Sequence, residues 1–399
     1  MKRTVCALIL LLSATRCWCA KKVTVDQLEE LMRSMQQEKK PDAEIATALK
    51  QVELSQELTR NRMNGLVSYV AGPLSTEQVY VLEVRSANLI PPDSDLPSTP
   101  APDAAEQKTI LDKAASYVGG TFEHLPDLAV TKTTLRFQDN VEAVASSSGI
   151  QGSAEDVVVG AGFSNQASFV HYMNSSEARI ASVHGAEKDT GRKDTTPWGA
   201  NKMIALREPD PNLPQVFHEV ESAQQIHWVR WESIDGKPTA VFSFIVPNDH
   251  SRLDVRVCCF PVIHQAGIAT FYTATTALTL AGGGGSGGGV AGNFQTNTNW
   301  NEYKTTAPYH GELFIDPQTG IVVRLIVLAE LKSSDVVHEY DTRIDFAPAR
   351  VGDHTYILPV KSYVNTLVVP NGDSGAATYT TRRTLFTSEY LDYELSTAK

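Results

Sequence analysis

The spacing of apolar residues changes near Leu128, and this change constrains the fold more than any other feature of the 399-residue chain. Before Leu128, apolar residues recur at the three- and four-residue intervals that are typical of amphipathic helices. After it, short segments alternate apolar and polar residues, and only residues 213–224, LPQVFHEVESAQ, return to helical spacing. Consecutive strands joined by short turns form antiparallel sheets. The sequence therefore predicts an α+β fold, a helical N-terminal region followed by an antiparallel β domain.

Two helix starts can be recognised in the N-terminal region. Thr24 and Gln27 have the spacing of a capping box ahead of the apolar run LEELMRSM. In such a box the hydroxyl and the amide satisfy backbone N–H groups that a helix start leaves unpaired. Ser75 and Gln78 repeat the spacing and predict a second helix over TEQVYVLEVRSANL. Nothing in this region has the pattern of a catalytic set, so the sequence favours a docking or spacer role for it.

Proline and serine are concentrated at residues 91–102, PPDSDLPSTPAP, which is the composition of a linker. A further helix is predicted from Asp103 to Val118, ending at Gly119 and Gly120. The predicted organisation is a signal peptide at 1–20, a helical region at 21–125 that contains the linker, and an antiparallel β domain at 126–399 with a Gly-rich insertion at 260–308.

The first twenty residues, MKRTVCALILLLSATRCWCA, have the composition of a secretory leader. Lys2 and Arg3 precede an apolar run that is too short to span a bilayer, and small residues follow it. Cleavage is predicted near Cys19 or Ala20. We therefore expect an exported protein, periplasmic or secreted, with no transmembrane segment in the mature chain.

The overall charge narrows the classes of partner. The formal net charge is −11, whereas binding to nucleic acid phosphates needs a basic surface. The charge therefore disfavours both binding to nucleic acid and electrostatic binding to anionic lipid. It does not disfavour an apolar ligand, and the sequence sets no oligomeric state.

The stretch HGELFIDPQTGIVVRL, residues 310–325, predicts a hairpin. In its turn, Pro317 fixes φ, Asp316 accepts hydrogen bonds from turn amides, and Gly320 takes the left-handed φ that a bulged hairpin requires. The outgoing strand is apolar on both faces and must be covered twice. Helices can cover one face, and either a second protein layer or a ligand cavity can cover the other.

Residues 213–369 resemble the periplasmic lipoprotein-carrier superfamily of LolA-like carriers and RseB-like regulators. The resemblance lies in the strands HWVRWE and AVFSFIVP, the hairpin, and the late pair DTRIDF and YILPVKSYV. It implies a strongly curved antiparallel sheet, an open half-barrel wrapped over a helix, whose apolar concavity binds acyl chains in the carriers. Transferred to this chain, it implies an apolar cavity lined by Trp228, Trp231, Phe242, Phe244, Leu325 and Val327.

The whole chain also resembles a group of uncharacterised exported proteins from acidobacteria, a likeness that brings no activity with it. The Gly-rich insertion departs from the carrier pattern. Its glycines lack the Lys-Ser/Thr of a phosphate-binding loop. It is interpreted either as a surface loop or as a flap over the cavity, with Phe271, Tyr272, Phe294 and Trp300 as the apolar residues of the flap.

No catalytic motif, metal-ligand spacing or cofactor signature was found along the sequence. Asp341 and Asp345 flank Arg343 on one face of a predicted strand, which favours a solvated ladder of charges over a catalytic pair. Two main hypotheses remain. The chain is either a non-catalytic binding protein that holds an acyl chain, lipid or lipidated partner, or an envelope interaction protein with a filled core and no ligand. A polysaccharide-active hydrolase is a remote third.

Overall fold

The computed structural model describes residues 21–139, 170–183, 186–187, 205–206, 212–261, 300–369 and 382–396. The predicted leader and residues 262–299 of the Gly-rich insertion lie outside these ranges. The chain divides into two compact units, Met1–Pro92 and Asp93–Lys399. The structure has a mixed α+β fold with several helices and one large antiparallel sheet that does not close on itself.

The described part of the first unit consists of four helices and one parallel pair of short strands. The helices are α1 (Val25–Gln37), α2 (Asp42–Lys50), α3 (Arg60–Leu66) and α4 (Pro73–Ser86), and the strands are β1 (Lys21–Val23) and β2 (Val52–Leu54). Their apolar side chains share one buried cluster that includes Leu28, Met32, Ile45, Leu49 and Leu82.

The capping box at Thr24 is confirmed. Its hydroxyl accepts from the Gln27 N–H at 3.2 Å, and the Gln27 amide oxygen accepts from the Thr24 N–H at 3.1 Å. The start of α4 differs from the sequence prediction, because the helix begins at Pro73 and Ser75 is already inside its first turn. The carboxylate of Asp42 accepts from the backbone N–H of Leu74 and of Ser75, both at 2.9 Å. A residue distant in sequence therefore caps this helix.

The second unit is dominated by a ten-stranded antiparallel sheet, and a three-stranded sheet accompanies it. The strands are β3 (Leu128–Asp139), β4 (Val170–Val183), β5 (Ala186–Glu187), β6 (Ala205–Leu206), β7 (Ile226–Ile234), β8 (Lys237–Val246), β9 (Asp254–Pro261), β10 (Trp300–Thr306), β11 (Tyr309–Ile315), β12 (Val322–Ala329), β13 (Val337–Val351), β14 (His354–Val368) and β15 (Arg382–Leu395). The strand order of the large sheet is β5-β4-β3-β15-β14-β13-β12-β11-β8-β7, and that of the small sheet is β10-β9-β6.

The described part of this unit contains two α-helices, α5 (Ala104–Thr121) and α6 (Leu213–Ala223). Helix α5 starts where the sequence predicts, with Asp103 as its N-cap, but it runs through Gly119 and Gly120 to Thr121. Burial explains the difference, since Val118 and, just after the helix, Phe122 lie in the sheet's core and hold the last turn in place. The same burial places α5 with the sheet, whereas the sequence-based division put it in the helical region.

The predicted hairpin is present as β11 and β12. Gly320 has φ +77°, and the Asp316 carboxylate accepts from the N–H of Gln318 at 2.8 Å and of Thr319 at 3.3 Å. On β13, Tyr340, Ile344 and Phe346 are buried as the alternation predicts. The opposite face of that strand is drier than predicted, because Arg343 is only 5% exposed.

Candidate functional site

The structure brings four of the six cavity candidates into adjacent rows on one face of the sheet. Leu313 of β11 pairs with Phe242 on one side and with Leu325 on the other. Gly311 pairs in the same way with Phe244 and Val327. The four candidate side chains are at most 1% exposed. The four side chains therefore share one face of the sheet and are closed off from solvent.

Side chains from the two helices share the buried cluster with this face. They are Ile110, Ala114 and Val118 of α5 and Leu213, Val216, Phe217 and Val220 of α6. The ring of Phe244 lies over Gly311, where a β carbon would stand 2.7 Å from its Cζ atom. The same ring makes an edge-to-face contact with Tyr309 at 5.9 Å. The four residues are therefore buried in one cluster with side chains of both helices.

The two tryptophan candidates lie on β7, the edge strand of the sheet. Their rings meet edge-to-face at 4.9 Å, and Trp228 also packs on Phe242 at 5.5 Å. The Trp231 indole N–H donates to the carbonyl oxygen of Pro100 at 2.7 Å. Both rings are half-buried against the core. The Pro-rich segment before α5 is therefore attached to the edge of the sheet.

Two surface depressions among the described residues have volumes of about 440 and 620 Å³. The smaller is lined by polar residues of α5 together with Thr319, and the larger by residues of β4, β13, β14 and β15. None of the six cavity candidates lines either one. Of the flap candidates, Phe271, Tyr272 and Phe294 lie outside the described residues, and only the backbone of Trp300, in β10, is described.

The opposite face of the sheet carries a network of ion pairs that the sequence analysis missed. Arg230 of β7 donates to the Glu312 carboxylate through two nitrogens, at 2.7 and 2.8 Å, and to Glu232 at 2.9 Å. Arg324 of β12 bridges Glu232 at 3.3 Å and Asp345 at 2.7 Å. Glu232 is 3% exposed and Arg324 8%. The network links strands that are far apart in sequence, which is why alternation alone could not reveal it.

Aromatic rings lie between the cations of this face. The guanidinium groups of Arg230 and Arg324 lie 5.7 and 5.1 Å from the Phe314 ring centroid. Arg343 and Lys361 approach the Tyr363 ring in the same way, at 5.1 and 4.7 Å. Cation–ring contacts of this kind stabilise charges that are partly removed from water. The side chains therefore satisfy one another, which is the arrangement of a structural face.

The two carboxylates predicted to form a solvated ladder have opposite environments. Burial raises the pKa of Asp341 to about 6, even though the Asn365 amide donates to it at 3.0 Å. Asp345 is half-buried, but Arg324 and Arg343 hold its pKa well below its ordinary value. Environments that separate the pKa values of two carboxylates are common in active sites, but ion-pair networks produce them too. Here Arg324 and Arg343 occupy the oxygens of Asp345.

One serine and one histidine lie within hydrogen-bond distance of each other, as a catalytic nucleophile and its general base do. The Ser222 hydroxyl lies 2.7 Å from Nδ1 of His250. The carboxylate nearest the other ring nitrogen, Asp249, is 3.8 Å away, and its side chain is 79% exposed. A nucleophile–base pair needs a held carboxylate that orients the histidine. This surface contact does not provide one, and across the described ranges no three His, Cys, Asp or Glu side chains are grouped to hold a metal.

No family model, no curated protein and no solved structure matches this chain. The likeness to the lipoprotein carriers and to the exported acidobacterial proteins therefore remains a prediction from the sequence. Among the helices that the structure describes, none has the length and apolar character needed to cross a membrane.

Proposed function

We propose that the chain is an exported, non-catalytic interaction protein of the bacterial envelope, whose sheet core is filled by its own helices. The observation that carries the proposal is the burial of Phe242, Phe244, Leu325 and Val327 in one cluster with residues of α5 and α6. A carrier needs this face open to an acyl chain, whereas a scaffold needs it closed. Export is inferred from the composition of the leader.

The sheet is proposed to curve over α5 and α6 as an open half-barrel. Apolar residues from strands as far apart as β3 and β8 share the cluster with both helices, which supports a sheet bent around them. On this proposal the carriers and this chain are alike in architecture. In this chain, helix side chains take the volume in which a carrier holds its ligand.

The polar face of the sheet agrees with a scaffold role. Its charged groups are held by partners within the chain, as Arg230 is by Glu232 and Glu312. Such a network fixes the relative positions of the strands without offering a reactive group. The competing hypothesis is that an amphiphile or a lipidated protein occupies the apolar face, and the experiment below distinguishes the two.

Native mass spectrometry of protein purified from its own cell envelope, followed by lipid extraction, tests the proposal. We expect masses that polypeptide alone accounts for, with no bound lipid, and no saturable binding of an apolar fluorescent dye to the folded protein. A stoichiometric acyl species would overturn the proposal in favour of a carrier. Crosslinking of intact cells before lysis addresses the interaction role separately. We expect a discrete crosslinked complex that contains a different polypeptide, and a chain crosslinked to nothing, or only to its own copies, would contradict that role.

A further inference from the structure

The two edges of the large sheet differ in how they are protected. At one edge, the pairing of β7 with β8 is interrupted by a bulge between Trp228 and Arg230, and Trp231 is bonded to Pro100. Bulges and covering segments are the usual means by which proteins block edge-to-edge pairing. At the other edge, β4 pairs with β3 in an unbroken register from Asn174 to Ser182.

Among the residues that the structure describes, the outer side of β4 is paired only near its C-terminal end. The two-residue strand β5 pairs with Ser182 and Val183, and no other described strand pairs with the outer side of β4. The register with β3 shifts next to Met173. Between these limits lies Ser175–Ala181, a regular stretch centred on Ala178, and none of its residues is buried. An exposed, regular edge of this length is a template for another strand.

We propose that this edge pairs with its own copy, as an antiparallel two-fold dimer centred on Ala178. Pairing about Ala178 places Glu177 of one protomer directly opposite Arg179 of its partner, twice by symmetry. Both side chains lie on the same face of β4 and are exposed, Arg179 by 46%. Opposite charges directly across an antiparallel pair stabilise it.

The charge pattern also selects the register. Pairing centred on Glu177 would place two carboxylates opposite each other, and pairing centred on Arg179 would place two guanidinium groups together. Like charges in directly opposed positions destabilise a strand pair. The remaining side chains from Ser175 to Ala181 are small, apart from Ile180, so they do not obstruct the approach of a second strand.

Arg179 has two partners within its own chain: it forms an ion pair with the carboxylate of Glu394 and donates to the hydroxyl of Thr131 at 3.4 Å. That ion pair is exposed on both sides, 46% for Arg179 and 68% for Glu394, and exposed pairs contribute little stability. Arg179 can therefore turn toward the partner's Glu177 at small cost. The dimer is independent of whether the sheet core is filled, so its failure would leave the proposed function standing.

Analytical ultracentrifugation of the purified protein, over about 1 to 200 µM, tests the proposal because a short strand interface is expected to be weak. We expect a monomer–dimer equilibrium that weakens in high salt. Glu177→Arg and Arg179→Glu should each raise the dimer dissociation constant about tenfold. The double exchange, E177R with R179E, should restore it, because the pair is then reversed but still opposite in charge.

Glu394→Gln is the matched control, since it removes the ion-pair partner of Arg179 within the chain and should leave the dimer intact. Circular dichroism should show the same fold for all variants, because the substituted side chains are exposed. A monomer at every concentration would overturn the proposal. So would a dimer whose dissociation constant is unchanged by both single charge reversals.

Discussion

The backbone of Lys113 on helix α5 lies directly against Gly320, the last residue of the hairpin turn. A β carbon built on Gly320 would stand 2.5 Å from both the carbonyl carbon and the carbonyl oxygen of Lys113. The Lys113 ammonium also donates to the carbonyl oxygens of Pro317 and Gln318, at 3.1 Å each. The hairpin turn is thus a docking point for α5, the helix that covers the buried face of the sheet.

Gly320→Ala is expected to lower the free energy of unfolding by about 2–4 kcal/mol, since it adds a clash with the Lys113 backbone to the cost of a left-handed φ. Urea denaturation measures the loss. Gly236→Ala is the matched control, because Gly236 has nearly the same φ, +76°, and open space around its Cβ position. It should cost only about 1 kcal/mol. Equal losses in the two variants would contradict the docking argument.

Asp341→Asn is expected to stabilise the protein at neutral pH by about 1–3 kcal/mol. The folded-state pKa of Asp341 is about 6, above its ordinary value of 3.8, so the folded state holds this proton more tightly. Wild-type stability should therefore fall as pH rises from about 4 to 6, and stay low above that. Urea denaturation at pH 4 and pH 7 tests this, since the advantage of the variant should be present only at pH 7.

Asp345→Asn should have the opposite sign, although Asp345 lies on the same face of the same strand. Its pKa is held below the ordinary value by Arg324 and Arg343, so its stabilisation is present above about pH 4 and is lost as pH falls further. At pH 7 the variant should lose about 3 kcal/mol, because two buried cations lose a partner. The same denaturation series provides the measurement. An unchanged free energy of unfolding at pH 7 would contradict the argument that the Asp345 carboxylate stabilises the fold through Arg324 and Arg343.

Trp231→Phe should release the Pro-rich segment that precedes α5 from the edge of the sheet. Phenylalanine keeps an aromatic ring beside Trp228, but it has no N–H group that can donate to the carbonyl oxygen of Pro100. We expect a loss of about 1 kcal/mol and faster cleavage by an Asp-N endoproteinase on the N-terminal side of Asp95. Trp228→Phe is the comparison, since Trp228 packs on Phe242 and should affect stability more than cleavage. Similar cleavage rates in both variants would argue against the tether.

Much of the local structure could be predicted from neighbouring residues. The capping box at Thr24, the helix over LPQVFHEVESAQ and the turn that ends at Gly320 each depend on groups within a few positions of one another. The end of α5 was predicted wrongly because it depends on contacts with residues that are distant in sequence. Two glycines favour a helix end, but the burial of Val118 and Phe122 outweighs that preference.

The candidate cavity shows most clearly the difference between what the sequence pattern predicts and what the tertiary structure decides. Alternation alone predicts that Phe242 and Phe244 share a face, and likewise Leu325 and Val327, and the register places the four in adjacent rows. What covers that face depends on α5 and α6, which approach from distant parts of the chain. No pattern within a strand specifies whether a helix or a ligand lies above it.

The sequence by itself determined the period of each segment, the turn chemistry and the caps, because these follow from interactions between near neighbours. Only the tertiary structure decided that the apolar face meets helices, and that Asp341 and Asp345 have opposite electrostatic environments. Each of those outcomes depends on which strands become neighbours in the sheet. Burial and charge at a site are sums over residues that the chain brings together only when it folds.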